Sequence, residues 1–267
     1  MESLGDNLAR HVRGGFNLAA EDYQRTRPVC PPQMFDDLIR YARLSAGSQV
    51  IEIGCGTGQA TVPLAERGLA ITAVELGSDL AGIARRRLAG FPAAQVVTSS
   101  FEDWRPQEHE APFDAVVAVN SLHWIDPQIR YSKPYQLLRS GGAVAVAGCR
   151  WARPANAERF WTDVQADYQA VDYDGDPPPP PEKITPWRFP DEVQRFFQEV
   201  ATLLYPFEVR YSAEDYLAHL ATQSSTRALG EARCADFLAR VKRRLASGGW
   251  PQLTATFVGY LTVGLRT

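Results

Sequence analysis

Short apolar runs alternate with stretches of helical periodicity along the first half of the chain. Such near-continuous hydrophobicity is typical of strands that are buried on both faces of a sheet. Residues 60–67 and 79–88, by contrast, carry apolar side chains at helical spacing. Strands that alternate with helices indicate βαβ units, so the pattern predicts an α/β fold. The predicted strands are residues 50–53, 70–74, 95–98, 115–119 and 143–147.

Both flanks of this region continue the pattern. Residues 32–44 place their apolar side chains on one helical face, begin at a proline and stop near Gly47, which predicts a helix. Near the end of the chain, residues 253–265 are rich in Thr, Val, Phe and Tyr and predict a last strand. Its partner strand is predicted to begin near Tyr205.

Residues 150–204 break the alternation. A run of five prolines at 177–181 cannot form a helix or a central strand and predicts an extended surface connection. Two interpretations fit the many aromatic residues around the proline run. These residues either pack an inserted cap or line an acceptor pocket. These aromatic residues are Trp151, Phe160, Trp161, Tyr168, Trp187, Phe189, Phe196 and Phe197.

Composition narrows the possible partners. A hydrophobic content of 45% is sufficient for a globular core, and a formal net charge of −3 argues against a broad nucleic-acid or anionic-membrane surface. Residues 1–25 show no signal-peptide pattern, and no run approaches the roughly 18 apolar residues of a membrane helix. We therefore expect a cytoplasmic protein that acts on a small molecule.

The four cysteines and four histidines give no metal signature. The cysteines are scattered and form no C-x-x-C pair, so free thiols are expected. His11, His109 and His219 show no metal-ligand spacing either, which leaves them as surface or packing residues.

The most informative segment is residues 50–59, in which an apolar strand ends in a glycine-rich turn. Its pattern is acid-x-Gly-x-Gly-x-Gly, with Glu52 as the acid and Gly54, Gly56 and Gly58 as the glycines. Glycine lacks a Cβ, so such a turn can pass close to a ligand. Glu75 ends the next apolar run, 21 residues after Gly54. That spacing suits a carboxylate that binds ribose hydroxyls at the tip of the second strand.

Three interpretations of the turn differ in the ligand they predict. A dinucleotide site uses the pattern G-x-G-x-x-G/A, but here position 59 is Gln, which weakens an NAD-dependent oxidoreductase. A turn that binds no ligand is the second alternative. The acid, the three glycines and the spaced second acid instead resemble the first motif of class I S-adenosylmethionine-dependent methyltransferases. Residues 20–150 are similar to the trans-aconitate methyltransferase-like group of bacterial small-molecule enzymes.

The resemblance implies a fold. It is Rossmann-like, with a mainly parallel seven-stranded sheet whose last strand is antiparallel, helices on both faces, an N-terminal helical segment and an inserted aromatic-rich cap. Residues 1–267 then form a single methyltransferase domain. Its parts are an N-terminal segment (1–46), a cofactor-binding core (47–149), the cap (150–204), and C-terminal strands with a lid (205–267).

The resemblance also implies S-adenosyl-L-methionine as cofactor and places the residues that bind it. The glycine turn lies beneath the methionine portion, Glu52 orders the turn and helps to fix the amino group, and Glu75 binds the ribose. Asn120 meets the sulfonium side. Other implied cofactor-binding residues are Cys55 in the turn, Leu76 after the second strand, Phe101, Glu102 and Asp103 as candidates near adenine, and Tyr23 and Arg27 in the N-terminal segment.

Three questions are left open by the sequence. His123 is either a general base for a hydroxyl acceptor or a packed loop residue beside Trp124. The implied reaction is in-line attack of a small-molecule acceptor on the cofactor methyl, and O-, N- and C-methylation are not separated. A protein that binds the cofactor without methylating, as a cyclase or regulator, would keep the same motif.

Overall fold

The computed structural model describes residues 20–107, 112–173 and 176–267. Residues 1–19 of the predicted N-terminal segment, with His11, as well as His109 and residues 174–175 before the proline run, lie outside the described residues. Two compact units are present. The described residues of the core unit lie within Val29–Cys149, Pro186–Tyr205 and Gly259–Thr267, and those of the flanking unit lie within Met1–Pro28, Arg150–Thr185 and Pro206–Val258.

Seven strands of the described residues form one mostly parallel sheet, as the resemblance implied. Its order is β3-β2-β1-β4-β5-β7-β6, and the pairs β1-β2, β1-β4, β2-β3 and β4-β5 are parallel. Strands β6 and β7 run antiparallel, because Thr267 bonds to Phe196 at one end and Gly259 lies against Tyr205 at the other. The strands are β1 Gln49–Ile53, β2 Ala70–Glu75, β3 Ala94–Thr98, β4 Phe113–Val119, β5 Leu138–Ala152, β6 Phe197–Ser212 and β7 Gln252–Arg266.

Ten α-helices lie within the described residues. The predicted helices of the first half are present, with the first shorter than expected because it ends at Tyr41. The helices are α1 Ala20–Thr26, α2 Pro32–Tyr41, α3 Thr61–Glu66, α4 Ser78–Arg87, α5 Ser132–Leu137, α6 Phe160–Asp163, α7 Gln165–Gln169, α8 Ala213–Ala221, α9 Ser224–Ala228 and α10 Glu231–Gly248.

Alternate side chains of the central strands enter two hydrophobic clusters in the core unit. In the first cluster, Val50 of β1 packs with Phe35 of α2 and Leu64 of α3. In the second, Ile51 of β1 packs with Leu137 of α5 and with aromatic residues. Successive residues of a strand face opposite sides, so apolar clusters on both sides explain why the strands are apolar throughout.

The aromatic residues of segment 150–204 divide between the two units. Phe189 and Phe197 belong to the second cluster of the core unit. Trp161 and Phe160 pack instead against Tyr216 of the flanking unit, with ring centroids 5.4 and 5.6 Å apart. The segment therefore contributes to two compact units, and its role as a cap stays a prediction.

In the flanking unit, α1 is held by hydrogen bonds to one backbone carbonyl. Tyr211 donates its hydroxyl to the Thr26 oxygen at 3.0 Å, and Nδ1 of His219 lies 3.1 Å from the same atom. Burial lowers the pKa of His219 to about 3, with a further lowering by the Arg27 charge. His219 is therefore neutral, and its Nδ1–H donates to the carbonyl. No helix within the described ranges is long and apolar enough to cross a membrane.

Candidate functional site

The glycine turn follows β1 and is anchored to the neighbouring strand. The Gly54 amide donates to the Val74 carbonyl at 2.8 Å, and Gly54 has a φ of +66°. A Cβ on Gly54 would lie 2.8 Å from the Cβ of Ser121, a distance that real Cβ atoms do not adopt. Glycine is thus required here by both backbone conformation and space. Gly56 and Gly58 also have positive φ, of +57° and +81°.

Glu75 ties this turn to the tip of β2. One carboxylate oxygen accepts from the Gly56 amide and the other accepts from the Gly77 amide, both at 2.8 Å. Burial raises the pKa of Glu75, and the backbone hydrogen bonds oppose this rise. A carboxylate has about four acceptor positions, so Glu75 can order the turn and still accept from a ligand hydroxyl. Leu76, the next residue, is 42% exposed.

Glu52 is a buried carboxylate under the same turn. Its side chain is 1% exposed, and Oε2 has no hydrogen-bond partner among the described residues. Burial raises its pKa to about 7; the Thr61 hydroxyl lowers the pKa and the Glu75 carboxylate raises it further. A buried acceptor without a donor costs free energy, and a cationic donor would offset that cost. Glu52 therefore fits the amino group of the implied cofactor.

Cys55 contributes a small buried side chain to the turn. Burial raises the pKa of its thiol well above the usual value, and both Glu52 and Glu75 raise it further. A thiol in such surroundings stays protonated and is a poor nucleophile. We therefore interpret Cys55 as a packing residue whose backbone belongs to the turn.

The segment after β3 presents its three candidate residues differently. The Phe101 ring is buried in the second cluster, 6.5 Å from the Trp104 ring. Half-buried Glu102 accepts from the Asp126 amide at 3.2 Å, and exposed Asp103 bonds to the Ser100 hydroxyl at 2.7 Å. Glu102 is thus the less exposed of the two carboxylates on this segment.

Lys133 of α5 holds this segment in place, a role that no sequence motif indicates. Its ammonium donates to the carbonyls of Phe101, Glu102 and Trp104, the last at 2.5 Å. It also lies 4.7 Å from the centroid of the Phe101 ring. A lysine in the polar stretch that includes Arg130 and Ser132 is expected at the surface, so only the tertiary structure reveals this role.

Asn120 and Ser121 connect the tip of β4 to both neighbouring strands. The Asn120 amide donates to the Ala147 carbonyl at 2.8 Å, and Asn120 adopts a left-handed φ of +54°. Its Oδ1 accepts from the Cys149 amide at 3.1 Å. Ser121, which the sequence did not single out, donates its hydroxyl to the Ile53 carbonyl at the start of the glycine turn.

His123 lies three residues beyond Asn120 in a short 3₁₀ helix, Leu122–Trp124. Its side chain is exposed, and its ring centroid is 4.7 Å from that of Trp124. An exposed imidazole beside an indole is compatible with both interpretations of this residue.

Tyr23 and Arg27 belong to the flanking unit, whereas the other predicted site residues belong to the core unit. Arg27 stacks over the Tyr23 ring at 4.8 Å and donates to the Thr222 carbonyl at 2.7 Å. That carbonyl follows α8, where a cation interacts favourably with the helix dipole. Arg27 thus has a backbone partner within its own unit, and its role in cofactor binding stays a prediction. No group of His, Cys, Asp and Glu in the described ranges could hold a metal ion.

Comparison with known proteins agrees with the sequence resemblance. Residues 51–144 match the family described as Methyltransferase domain. A trans-aconitate 2-methyltransferase of Paracidovorax citrulli is 32% identical over 159 residues, which cover 55% of this chain and 57% of the relative. An uncharacterized methyltransferase of Mycobacterium tuberculosis H37Rv is 30% identical over 137 residues, covering 51% and 53%. The chain thus spans about half the length of the curated relatives it matches.

Solved structures share the fold. A chain from Anaeromyxobacter dehalogenans, provisionally assigned as a type II methyltransferase, superposes with a TM-score of 0.62 at 22% identity. The match covers 90% of this chain and 97% of that one. YjhP from Escherichia coli superposes with a TM-score of 0.51 at 13% identity, covering 94% and 99%. At such identities the likeness concerns the fold alone.

Proposed function

We infer that this chain, whose residues 51–144 match the family described as Methyltransferase domain, is a class I methyltransferase that transfers a methyl group from S-adenosylmethionine to a small molecule. The observation that carries the proposal is the pair of buried carboxylates at the glycine turn. Glu75 orders the turn through Gly56, and Glu52 lies beneath it with an unfilled acceptor atom. The two groups suit a ligand that offers ribose hydroxyls and an ammonium group.

Each site residue has a proposed task. Glu75 accepts from the ribose hydroxyls, Glu52 accepts from the amino group, and the turn backbone passes beneath the ligand. When bound, the cofactor supplies an electrophilic methyl group on a sulfonium, which is the chemically demanding part of the reaction. The chain's own contribution is to align the acceptor and exclude water, which can be worth up to roughly 7–11 kcal/mol.

The proposed acceptor is a small molecule, and the proposed location is the cytoplasm. The net charge of −3 supports a small acceptor over a nucleic acid. Trans-aconitate methyltransferases among the relatives make polycarboxylic acids a reasonable class to test first. Phenols and amines belong in the same library, because the sequence motifs do not separate O-, N- and C-methylation.

A binding and turnover experiment tests the proposal. We expect the purified chain to bind S-adenosylmethionine and S-adenosylhomocysteine saturably in calorimetry and to bind no NAD⁺. With the acceptor library, we expect S-adenosylhomocysteine to form with at least one compound. A folded chain that binds neither cofactor form would refute the proposal, and binding without turnover for any acceptor would favour a non-methylating role.

His123 is the proposed general base if the acceptor proves to be a hydroxyl compound. We then expect His123→Ala to lower kcat by at least about tenfold, because general bases typically contribute that much or more. Affinity for S-adenosylhomocysteine should not change. The imidazole is exposed, so the substitution should not unfold the chain, and Trp124→Phe serves as the matched control. Equal kcat for His123→Ala would remove the base assignment.

A further inference from the structure

Residues 100–104, the β3 turn, form one helical turn that is not continued. The Trp104 amide donates to the Ser100 carbonyl at 3.0 Å, and residues 104–107 are not helical. The last carbonyls of a helical turn receive no amide from the turn itself, so their donors must come from elsewhere. The groups that supply these donors therefore determine how firmly the β3 turn is held.

Lys133 closes the open end of the β3 turn from its buried side. An ammonium group has three N–H donors, and the carbonyls of Phe101, Glu102 and Trp104 accept them. The Phe101 and Trp104 rings face the same ammonium, with centroids 4.7 and 5.9 Å from Nζ. Only 9% of Lys133 is exposed. A buried cation whose donors are all used has one stable position, and it fixes its acceptors at the same time.

The other polar contacts of the turn do not replace this lysine. Arg105 donates to the Glu102 and Trp104 carbonyls at 2.6 and 2.8 Å, but its side chain is exposed, so water competes for the same bonds. The Glu102 carboxylate accepts from the Asp126 amide at 3.2 Å. Lys133 therefore fixes the backbone of the turn, and the carboxylate of Glu102 bonds elsewhere.

The β3 turn begins beside the proposed ribose-binding carboxylate. The Ser99 amide donates to the backbone carbonyl of Glu75 at 2.9 Å, at the carboxyl edge where ligands of open α/β sheets bind. The strand order β3-β2-β1 places the β3 turn on one side of Glu75 and the glycine turn on the other. The base and the amino-acid chain of the proposed cofactor leave the ribose at different carbons. With the amino group at Glu52 under the glycine turn, the base falls on the side of the β3 turn.

A turn selects one base over another only if its polar groups keep fixed positions. The selection depends on hydrogen bonds at the polar edge of the base, and these bonds weaken steeply when donor and acceptor are misaligned. Burial lowers the pKa of Lys133 to about 8, helped by the Arg105 charge and opposed by the Glu102 and Asp103 charges. The lysine is therefore charged at pH 7, and its bonds to the carbonyls are of the stronger, charge-assisted kind.

We propose that Lys133 is a positioning residue for base selection: it fixes the β3 turn in the conformation that selects adenine, without contacting the cofactor itself. The inference rests on the proposed function and adds a determinant of ligand specificity that lies on a different element, α5. The opposing interpretation is that this buried lysine supports the fold alone. Such a lysine would affect the stability of the chain and leave its choice of base unchanged.

Titration of S-adenosylhomocysteine and S-inosylhomocysteine at pH 7 separates the two interpretations without any acceptor. The second ligand carries a carbonyl oxygen in place of the exocyclic amino group of the base. We expect wild type to bind the adenine ligand at least about tenfold more tightly, because the other base leaves polar groups of the site unpaired. Lys133→Met keeps the length of the side chain but removes the ammonium. It should raise the Kd for the adenine ligand about tenfold and the Kd for the other ligand less than about threefold.

Two control variants show that the ratio of the two Kd values reports on the base. Glu52→Gln should weaken both ligands by the same factor, because both carry the same amino-acid chain. Lys242→Met makes the same chemical change as Lys133→Met on the exposed face of α10 and should alter neither Kd. Thermal unfolding of each variant establishes that it is folded at the temperature of the titration.

An unchanged ratio in a folded Lys133→Met chain would overturn the inference, whether both Kd values rise together or neither changes. A wild-type chain that does not distinguish the two ligands would overturn it as well. If Lys133→Met does not fold or binds neither ligand, Lys133→Gln takes its place, since it keeps two N–H donors without the charge. It should lose part of the preference, and full retention would count against the inference. A wild-type chain that binds no S-adenosylhomocysteine would instead refute the proposed function, so the two failures are distinguishable.

Discussion

Replacing Glu75 by alanine is expected to weaken the binding of S-adenosylhomocysteine by at least about 100-fold. The substitution removes both carboxylate oxygens, which accept from the Gly56 and Gly77 amides at 2.8 Å. Hydrogen bonds to a charged partner contribute about 1.5–3 kcal/mol each, so the loss of these bonds leaves the turn without its anchor. The proposed contact with the ribose is lost at the same time. Isothermal titration calorimetry measures the change directly.

Two further variants separate the contact with the ligand from the stability of the turn. Glu75→Gln keeps the size of the side chain and one acceptor oxygen, but its NH₂ group faces a backbone donor. We therefore expect an intermediate loss of affinity. Glu66→Ala removes an exposed carboxylate at the end of α3 and should bind like wild type. Wild-type affinity in a folded Glu75→Ala chain would contradict the proposed role of Glu75.

The first half of the fold could be predicted because its signals are local. The acid, the glycines and the spaced second acid lie within 24 residues, and strands buried on both sides leave an apolar run that is visible in the sequence. The start of β6 was predicted wrongly at Tyr205, whereas the strand begins at Phe197. This part of β6 alternates buried Phe197 with exposed Gln198, as expected at the edge of a sheet, and so lacks the apolar run.

Local reasoning also failed at a helix start. Ser78 directly precedes the predicted helix 79–88, a position that predicts a cap, but it is the first residue of α4, and Gly77 precedes it without a side-chain cap. The Gly77 amide donates instead to Glu75. A serine before an apolar repeat is a good cap signal in general. Here the Glu75 carboxylate, which is the proposed ligand-binding group, accepts from the Gly77 amide at the start of the helix.

Tyr260 lies against Gly148 although the two residues are distant in the chain. It meets Gly148 only because β7 is inserted between β5 and β6, a strand order that apolar periodicity does not specify. Lys133 is similar, since its three carbonyl partners lie about 30 residues earlier. Sequence motifs thus predict the part of the site that one turn supplies, and topology supplies the rest.

The Glu52 carboxyl should make the stability of the ligand-free chain fall as the pH rises from about 4.5 to about 7. Burial raises its pKa from the ordinary 4.5 to about 7. Between these values the folded chain holds a proton that the unfolded chain has lost, so the free energy of unfolding decreases with pH. The free-energy cost of ionising the buried Glu52 is absent below the lower pKa and complete above the upper pKa. It amounts to up to about 3 kcal/mol.

Glu52→Gln is expected to remove most of this slope, because the amide cannot ionise. The residual slope combines two opposed contributions: Glu75, whose pKa is also raised by burial, makes stability fall with pH, and His219, whose pKa is lowered by burial, makes it rise up to about pH 6.5. Urea unfolding at pH 5, 6, 7 and 8 measures the effect, with Glu66→Gln as an exposed control. An unchanged slope in Glu52→Gln would show that the buried carboxyl does not titrate in this range.

Ligand binding should reverse the cost of ionising Glu52. An ammonium group placed beside the carboxylate favours its charged form and lowers its pKa. At pH 6.5, binding of S-adenosylhomocysteine is therefore expected to release protons, so the observed binding enthalpy should depend on the ionisation enthalpy of the buffer. Glu52→Gln should lose this dependence and bind more weakly. Retention of the full dependence in that variant would place the ammonium group away from Glu52, and the turn would then hold the ligand through Glu75 alone.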